Sequence, residues 1–326
     1  LLDLREFIES HRTPEKRDFD MAINKYMKAA LRAISYGELD IKTQYETSRK
    51  IREWINPPRG TGELYNVWDD DIVLENHSIP VRIFEPKRLL GDQRILFFHG
   101  GGWVHGNINT YTRTCAMLAN DTGRQVLSVD YRLAPEYPFP EGLLDCYEVT
   151  KTLHHQYARK NNRNKEIILM GDSAGANIAA AVSLLARDKG EFSVAKQILL
   201  YPATYNYHDR NSPFPSIYEK GEGYLLTSQR ICDYIDLYIE DQKDFFSPYF
   251  APLLAEDLSQ QPDTLLVTAE HDPLRDEGEA YGDKLREFGN DVTSIRMKNA
   301  LHGYFNLPIR FVHVRRTIEA IIDFLE

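Results

Sequence analysis

Gly171-Asp172-Ser173-Ala174-Gly175 sets a serine between two glycines, after the short apolar run Ile167 to Met170 and before an alanine-rich stretch. A serine hydroxyl is a weak nucleophile. It becomes useful for acyl transfer when a base takes its proton and preorganised donors hold the oxyanion that forms. G-x-S-x-G at a strand-to-helix junction reads as a nucleophile elbow, with Ser173 exposed at a helix N-terminus whose free N–H groups favour developing negative charge. The turn is so tight that a side chain at either flanking position would strike neighbouring backbone, which glycine avoids. The plainer reading is a tight turn with a helix-capping serine. The rest of the chain must therefore supply a base, an acid and an oxyanion hole.

His99-Gly100-Gly101-Gly102-Trp103 directly follows the apolar run Ile95-Leu96-Phe97-Phe98. Three glycines in a row can be a flexible turn. After a central strand and upstream of a serine elbow they read as an oxyanion hole, with N–H donors from Gly101 and Gly102, completed by that of Ala174. A neutral histidine is the natural base near neutral pH, and ten compete. His154 and His155 are adjacent on a helix and point apart. His11, His77 and His208 lie in polar or lid-like segments, His99 reads as bracing the glycine loop with His105 beyond it, and His313 falls in a helix. His271 and His302 remain. His302, in the loop Ala300-Leu301-His302-Gly303-Tyr304 between the last strand and the last helix, is favoured. The acid should lie between serine and histidine in chain order. Glu270, Asp272, Asp276 and Glu277 cluster after the strand at 264–268. Pro273 turns the chain and opens a helix, which leaves Asp272 in the loop and Asp276 and Glu277 in the first helical turn, where acids are common for dipole reasons. Asp272 is preferred.

These groups need a scaffold. Strand-like runs fall near 67–75, 80–84, 95–98, 126–129, 167–170, 198–201, 264–268 and 292–297. Helices are expected near 109–121, 141–158, 173–187, 274–288 and 309–325. The first two strands are too close in sequence for a crossover and should pair antiparallel. The later alternation predicts an α/β fold, a mostly parallel sheet with helices on both faces. Residues 1–55 read as largely helical and precede any strand. The interval from Pro202 to Pro248 has no strand but carries an amphipathic helix with Ile231, Tyr234, Ile235 and Tyr238. The expected organisation is an N-terminal helical cap segment over 1–55, an α/β core over 56–203 and 247–326, and a cap insertion over 204–246. Tyr205, Tyr207, Tyr218, Tyr224, Tyr234 and Tyr238 could line a pocket; core and surface of a small helical layer is the favoured reading.

With 326 residues the chain can bury a substantial core, and a formal charge of −10 argues against nucleic-acid and anionic-membrane partners. No apolar run is long enough to span a bilayer. Cys115, Cys146 and Cys232 are scattered without metal-like spacing. Leu1 to Glu6 do not read as a signal peptide, so the expected location is cytoplasmic. Neither a metal nor an organic cofactor is called for, the expected partner is a small-molecule ester, and the last strand and helix could pair two copies as a homodimer.

The motif series as a whole resembles the hormone-sensitive-lipase-like family (bacterial family IV type) of α/β-hydrolase carboxylesterases. The series comprises His99 to Trp103, Asp130-Tyr131-Arg132-Leu133-Ala134-Pro135-Glu136, GDSAG, Ser247-Pro248 with Ala251-Pro252-Leu253-Leu254, Asp272 to Gly278 and the His302 loop. The resemblance covers about residues 66–326. It implies carboxylester hydrolysis of short acyl chains, acetyl to butyryl, with Ser173, Asp272 and His302 as triad and Gly101, Gly102 and Ala174 as oxyanion residues. It also implies that Asp130 to Glu136 brace the oxyanion loop. Acetylated carbohydrates or amides are alternative substrates. Some plant hormone receptors resemble this family but lack the histidine, which this chain has.

Overall fold

The computed structural model describes residues 40–55, 66–159 and 166–326. The first helical stretch expected upstream lies outside them. The described part begins with helix α1 (Ile41–Ile55) and hairpin strands β1 (Asn66–Val73) and β2 (Ser78–Glu85). Then follow β3 (Arg94–Phe98), α2 (Thr112–Thr122), β4 (Gln125–Val129), α3 (Glu141–Arg159), β5 (Ile167–Asp172), α4 (Ala174–Lys189) and β6 (Lys196–Leu200). Two helices, α5 (Pro215–Lys220) and α6 (Ser228–Tyr238), precede β7 (Asp263–His271), α7 (Arg275–Glu287), β8 (Val292–Leu301) and α8 (Val312–Leu325).

The eight strands form one sheet in the order β1-β2-β4-β3-β5-β6-β7-β8. β1, β2 and β4 pair antiparallel and the remainder parallel. The apolar runs are continuous because both sheet faces are covered, and alternate side chains divide between two cores. Ile95, Phe97, Ile168, Met170, Ile198 and Leu200 pack with α2 and α8. Leu96, Phe98, Leu169 and Leu199 pack with α3, α4 and α7. Helix α4 is buried from Ala174 to Ala186, and its small residues let it lie close against the sheet. Among the described residues no helix is long and apolar enough to cross a membrane.

Boundaries differ from the sequence expectation where polar residues continue a ladder. β7 runs past Thr268 to His271, and β8 runs past Met297 to Leu301. After an irregularity near Ala269, His271 pairs with Leu301. This extension places Asp272 and His302, the next residue of each chain segment, side by side. Helix α6 buries Ile231, Tyr234, Ile235 and Tyr238, whereas Tyr218 is largely exposed.

Candidate active site

Four segments converge where parallel strands end: the glycine strip after β3, Ser173 after β5, Asp272 after β7 and His302 after β8. Ser173 sits at φ 55°, ψ −121°, a conformation that costs a non-glycine residue about 1–3 kcal/mol and persists only where its surroundings enforce it. Those surroundings are tight. A Cβ on Gly171 would lie 2.3 Å from the Gly175 carbonyl, and one on Gly175 would lie 2.0 Å from the Phe98 carbonyl oxygen. The flanking glycines thus bring β3, the turn and α4 together, and Ser173 N–H donates to the Leu200 carbonyl at 2.9 Å.

His302 Nε2 lies 2.9 Å from Ser173 Oγ, and its Nδ1 lies 2.7 Å from Asp272 Oδ2. Asp272 is fully buried, and its Oδ1 accepts from Leu274 N–H at 2.9 Å. A carboxylate can only accept, so this pairing sets the proton on Nδ1 and leaves Nε2 free to accept from the serine hydroxyl. The Tyr201 ring meets the imidazole edge-on, with centroids 4.9 Å apart. The other acids are engaged elsewhere. Asp276 Oδ2 accepts from Ser216 N–H at 2.7 Å. Glu277 Oε1 accepts from the N–H groups of Thr204 and Tyr205 at 2.7 and 3.2 Å, and its Oε2 lies 2.8 Å from His208 Nε2, both side chains fully buried. Glu270 Oε2 accepts from Asn299 N–H at 2.6 Å.

The glycine strip has an unusual backbone: Gly101, Gly102 and Trp103 take φ values of 130°, 64° and 59°. Among the described residues, none accepts from the N–H groups of Gly101, Gly102 or Ala174. The strip is held on several sides. Asp172 Oδ1 accepts from Gly100 N–H at 2.8 Å, while its Oδ2 accepts from Tyr111 Oη at 3.1 Å and Asn306 Nδ2 at 3.2 Å. Burial pushes the Asp172 carboxyl above its ordinary range, and these donors pull it back. Asp172, the residue before Ser173, thus ties the glycine loop to the end of β5. From the 130–136 segment, Tyr131 Oη donates to the His99 carbonyl at 2.6 Å, and Ala134 N–H donates to the Trp103 carbonyl at 3.0 Å. The Trp103 indole stacks on Tyr238 of α6 at 4.7 Å, and its Nε1 donates to Asn177 at 3.3 Å.

His99 and His105 are buried within this loop. Burial lowers His99 to about 4, with a hydrogen bond to the Gly100 carbonyl opposing. Burial and then the nearby Arg52 and Arg49 lower His105 to about 2. Both are therefore neutral at physiological pH. Sequence reasoning missed Arg49, Asn177 and the anchoring role of Glu277, whose partners are distant in sequence. Asn177 donates to the carbonyls of Ala203 and Phe250 at 2.9 and 2.7 Å. Among the described residues no cluster of His, Cys, Asp and Glu is arranged to hold a metal ion. The thiols of Cys115, Cys146 and Cys232 are free.

A sheet of this order, carrying a serine turn after β5 and an acid and a histidine after its last two strands, is that of an α/β hydrolase. Residues 95–306 match the family model described as alpha/beta hydrolase fold. The chain is 36% identical over 296 residues to an arylesterase of Saccharolobus solfataricus, covering 90% of this chain and 92% of the relative. It is 30% identical over 237 residues to an ethyl acetate hydrolase of Pseudomonas putida, covering 72% and 73%. Among solved structures, a hyperthermophilic esterase from Pyrobaculum calidifontis superposes with a TM-score of 0.77 at 33% identity, over 93% of this chain and 97% of the other. The chain belongs to the hormone-sensitive-lipase-like carboxylesterases of the α/β-hydrolase family.

Proposed function

We propose that the protein hydrolyses short-chain carboxylic esters, acetyl to butyryl, through a seryl acyl-enzyme. His302 Nε2 takes the Ser173 proton as Oγ attacks the ester carbonyl carbon. The N–H groups of Gly101, Gly102 and Ala174 receive the oxyanion of the tetrahedral intermediate, and Asp272 holds the imidazole and steadies its charge. Collapse of the intermediate breaks the bond to the alcohol, which leaves with the proton from His302. Water, deprotonated by the same histidine, then attacks the acyl-enzyme and releases the acid and Ser173. The observation that carries this reading is His302 bridging Ser173 Oγ and Asp272 Oδ2 at 2.9 and 2.7 Å. The short-chain preference is supported by a relative that acts on ethyl acetate. Residues 40–55 and 204–246 act in this reading as a cap, which is supported by Arg49 of α1 bonding the Val104 carbonyl and Tyr234 of α6 packing against Gly102.

Ser173→Ala is expected to lower turnover of 4-nitrophenyl acetate by at least about 10⁴-fold while leaving the circular dichroism spectrum and unfolding temperature unchanged. Near-normal turnover in that variant would refute the assignment. A rate profile from acetyl to palmitoyl esters should peak at or below butyryl; a maximum at long chains would overturn the substrate class.

A further inference from the structure

Arg49 reaches from α1 to the backbone of the glycine loop, and two of its four hydrogen bonds among the described residues go to backbone carbonyls. Its Nε donates to the Val104 carbonyl at 2.7 Å, and Nη2 donates to the Ala134 carbonyl at 2.7 Å. Nη1 and Nη2 form a fork with the Glu136 carboxylate at 2.7 and 2.9 Å. One guanidinium thus fastens two strands of irregular backbone: Val104 follows the strip, and Ala134 belongs to the segment whose N–H holds the Trp103 carbonyl. The Gly102 backbone is also pressed by α6, where a Cβ would lie 2.4 Å from the Tyr234 ring. Helices α1 and α6 are themselves joined, with Lys42 paired to Asp236 and Asp233.

The strip needs such fastening. Its three consecutive positive φ angles include that of Trp103, and a non-glycine residue in this region relaxes unless its surroundings over-determine it. Resting on the oxyanion-hole reading above, we propose that Arg49 is a positioning residue for catalysis: docking of α1 through its guanidinium sets the strip in its oxyanion-binding conformation. The N-terminal cap helix is then part of the catalytic apparatus rather than only a cover. A cavity of about 330 Å³ adjoins the side chain, lined in part by Arg52, Glu53, Asn107, Asp130 and Glu136. Without the guanidinium, water from this cavity can satisfy the Val104 and Ala134 carbonyls, so the loop loses its conformation while the fold survives.

The test uses the full chain with Arg49→Met and Arg49→Lys, 4-nitrophenyl acetate as substrate and an alkyl trifluoromethyl ketone as oxyanion-forming inhibitor. Misplacing donors rather than deleting them should lower kcat by about 10- to 100-fold, with KM within about threefold. The ketone Ki should rise by the same factor as kcat/KM falls. Arg49→Lys should be impaired nearly as much, because an ammonium cannot span Val104, Ala134 and Glu136 together. Free guanidinium ion should restore part of the kcat of Arg49→Met. If Arg49→Met does not fold, as judged by circular dichroism, Arg49→Lys carries the comparison. An unchanged kcat, a rise in KM alone, or full activity in Arg49→Lys would overturn the proposal while leaving the Ser173 assignment standing. A wild-type protein that turns over no ester and does not bind the ketone would instead remove the reading on which it rests.

Discussion

Acidification should expose the two neutral histidines beneath the glycine strip, and His105 gives the cleaner measurement. It is fully buried, and its ring meets Tyr234 edge-on at 5.6 Å. Burial, reinforced by Arg52 and Arg49, holds it at about 2 when folded, against 6.5 for an ordinary histidine. Below pH 6.5 the unfolded chain therefore binds a proton that the folded chain refuses, and stability falls as pH falls. Linkage gives about 1.4 kcal/mol lost between pH 7.5 and 5.5 from this residue alone. His99, held at about 4, acts in the same direction. Asp121, raised to about 6 by burial, acts in the opposite one because its folded form takes up protons first. The wild-type curve mixes these contributions, so the informative quantity is a difference. Urea unfolding at the two pH values should show His105→Phe losing about 1.4 kcal/mol less than wild type. Equal losses in the two proteins would refute the neutral, proton-refusing state assigned to His105.

Two further substitutions probe the site's supports. Gly102→Ala places a methyl group 2.4 Å from the Tyr234 ring at a φ of 64°, and should cost about 10²-fold or more in kcat/KM, read with 4-nitrophenyl acetate; wild-type rates would mean that the strip's backbone does not matter. Glu277→Ala strips the acceptor from the N–H groups of Thr204 and Tyr205 and should destabilise the protein by about 2–4 kcal/mol in urea titration. A loss below about 1 kcal/mol would show that the stem of the 204–246 insertion is anchored elsewhere.

The layered α/β fold was legible because its inner strands are continuous apolar runs, which only a sheet covered on both faces requires. Strand ends were less legible. The sequence Ala269-Glu270-His271 turns polar, so hydrophobicity alone ends β7 early, yet its ladder with β8 continues to His271 and Leu301. The serine turn announced itself through glycines that are needed locally. Chain order narrowed the acid and the histidine to a few residues each, but their convergence depends on a strand register that one sequence does not reveal. Arg49 could not be found this way at all: an arginine on an amphipathic helix looks like any solvated charge, and its acceptors, two backbone carbonyls and the Glu136 carboxylate, lie 55, 85 and 87 residues away. Glu277 was legible only as an acid in a first helical turn, because His208 and the Thr204 stem reach it across the fold.

That last residue bears on how such a protein can diversify. Asp272 and Glu277 belong to one loop-and-helix junction, so the piece of chain that orients the histidine also roots the segment between β6 and β7. Thr204 Oγ1 adds a bond to the Glu277 carbonyl at 2.9 Å, and Lys284 of the same helix donates to the carbonyls of Leu253 and Ala255 at 3.0 and 2.6 Å, near the segment's return. The segment is a graft with both ends set in a single rootstock. Change in its crown is bounded by α6, whose Tyr234 and Tyr238 press on Gly102 and Trp103, and change at the union would reach the Asp272 junction.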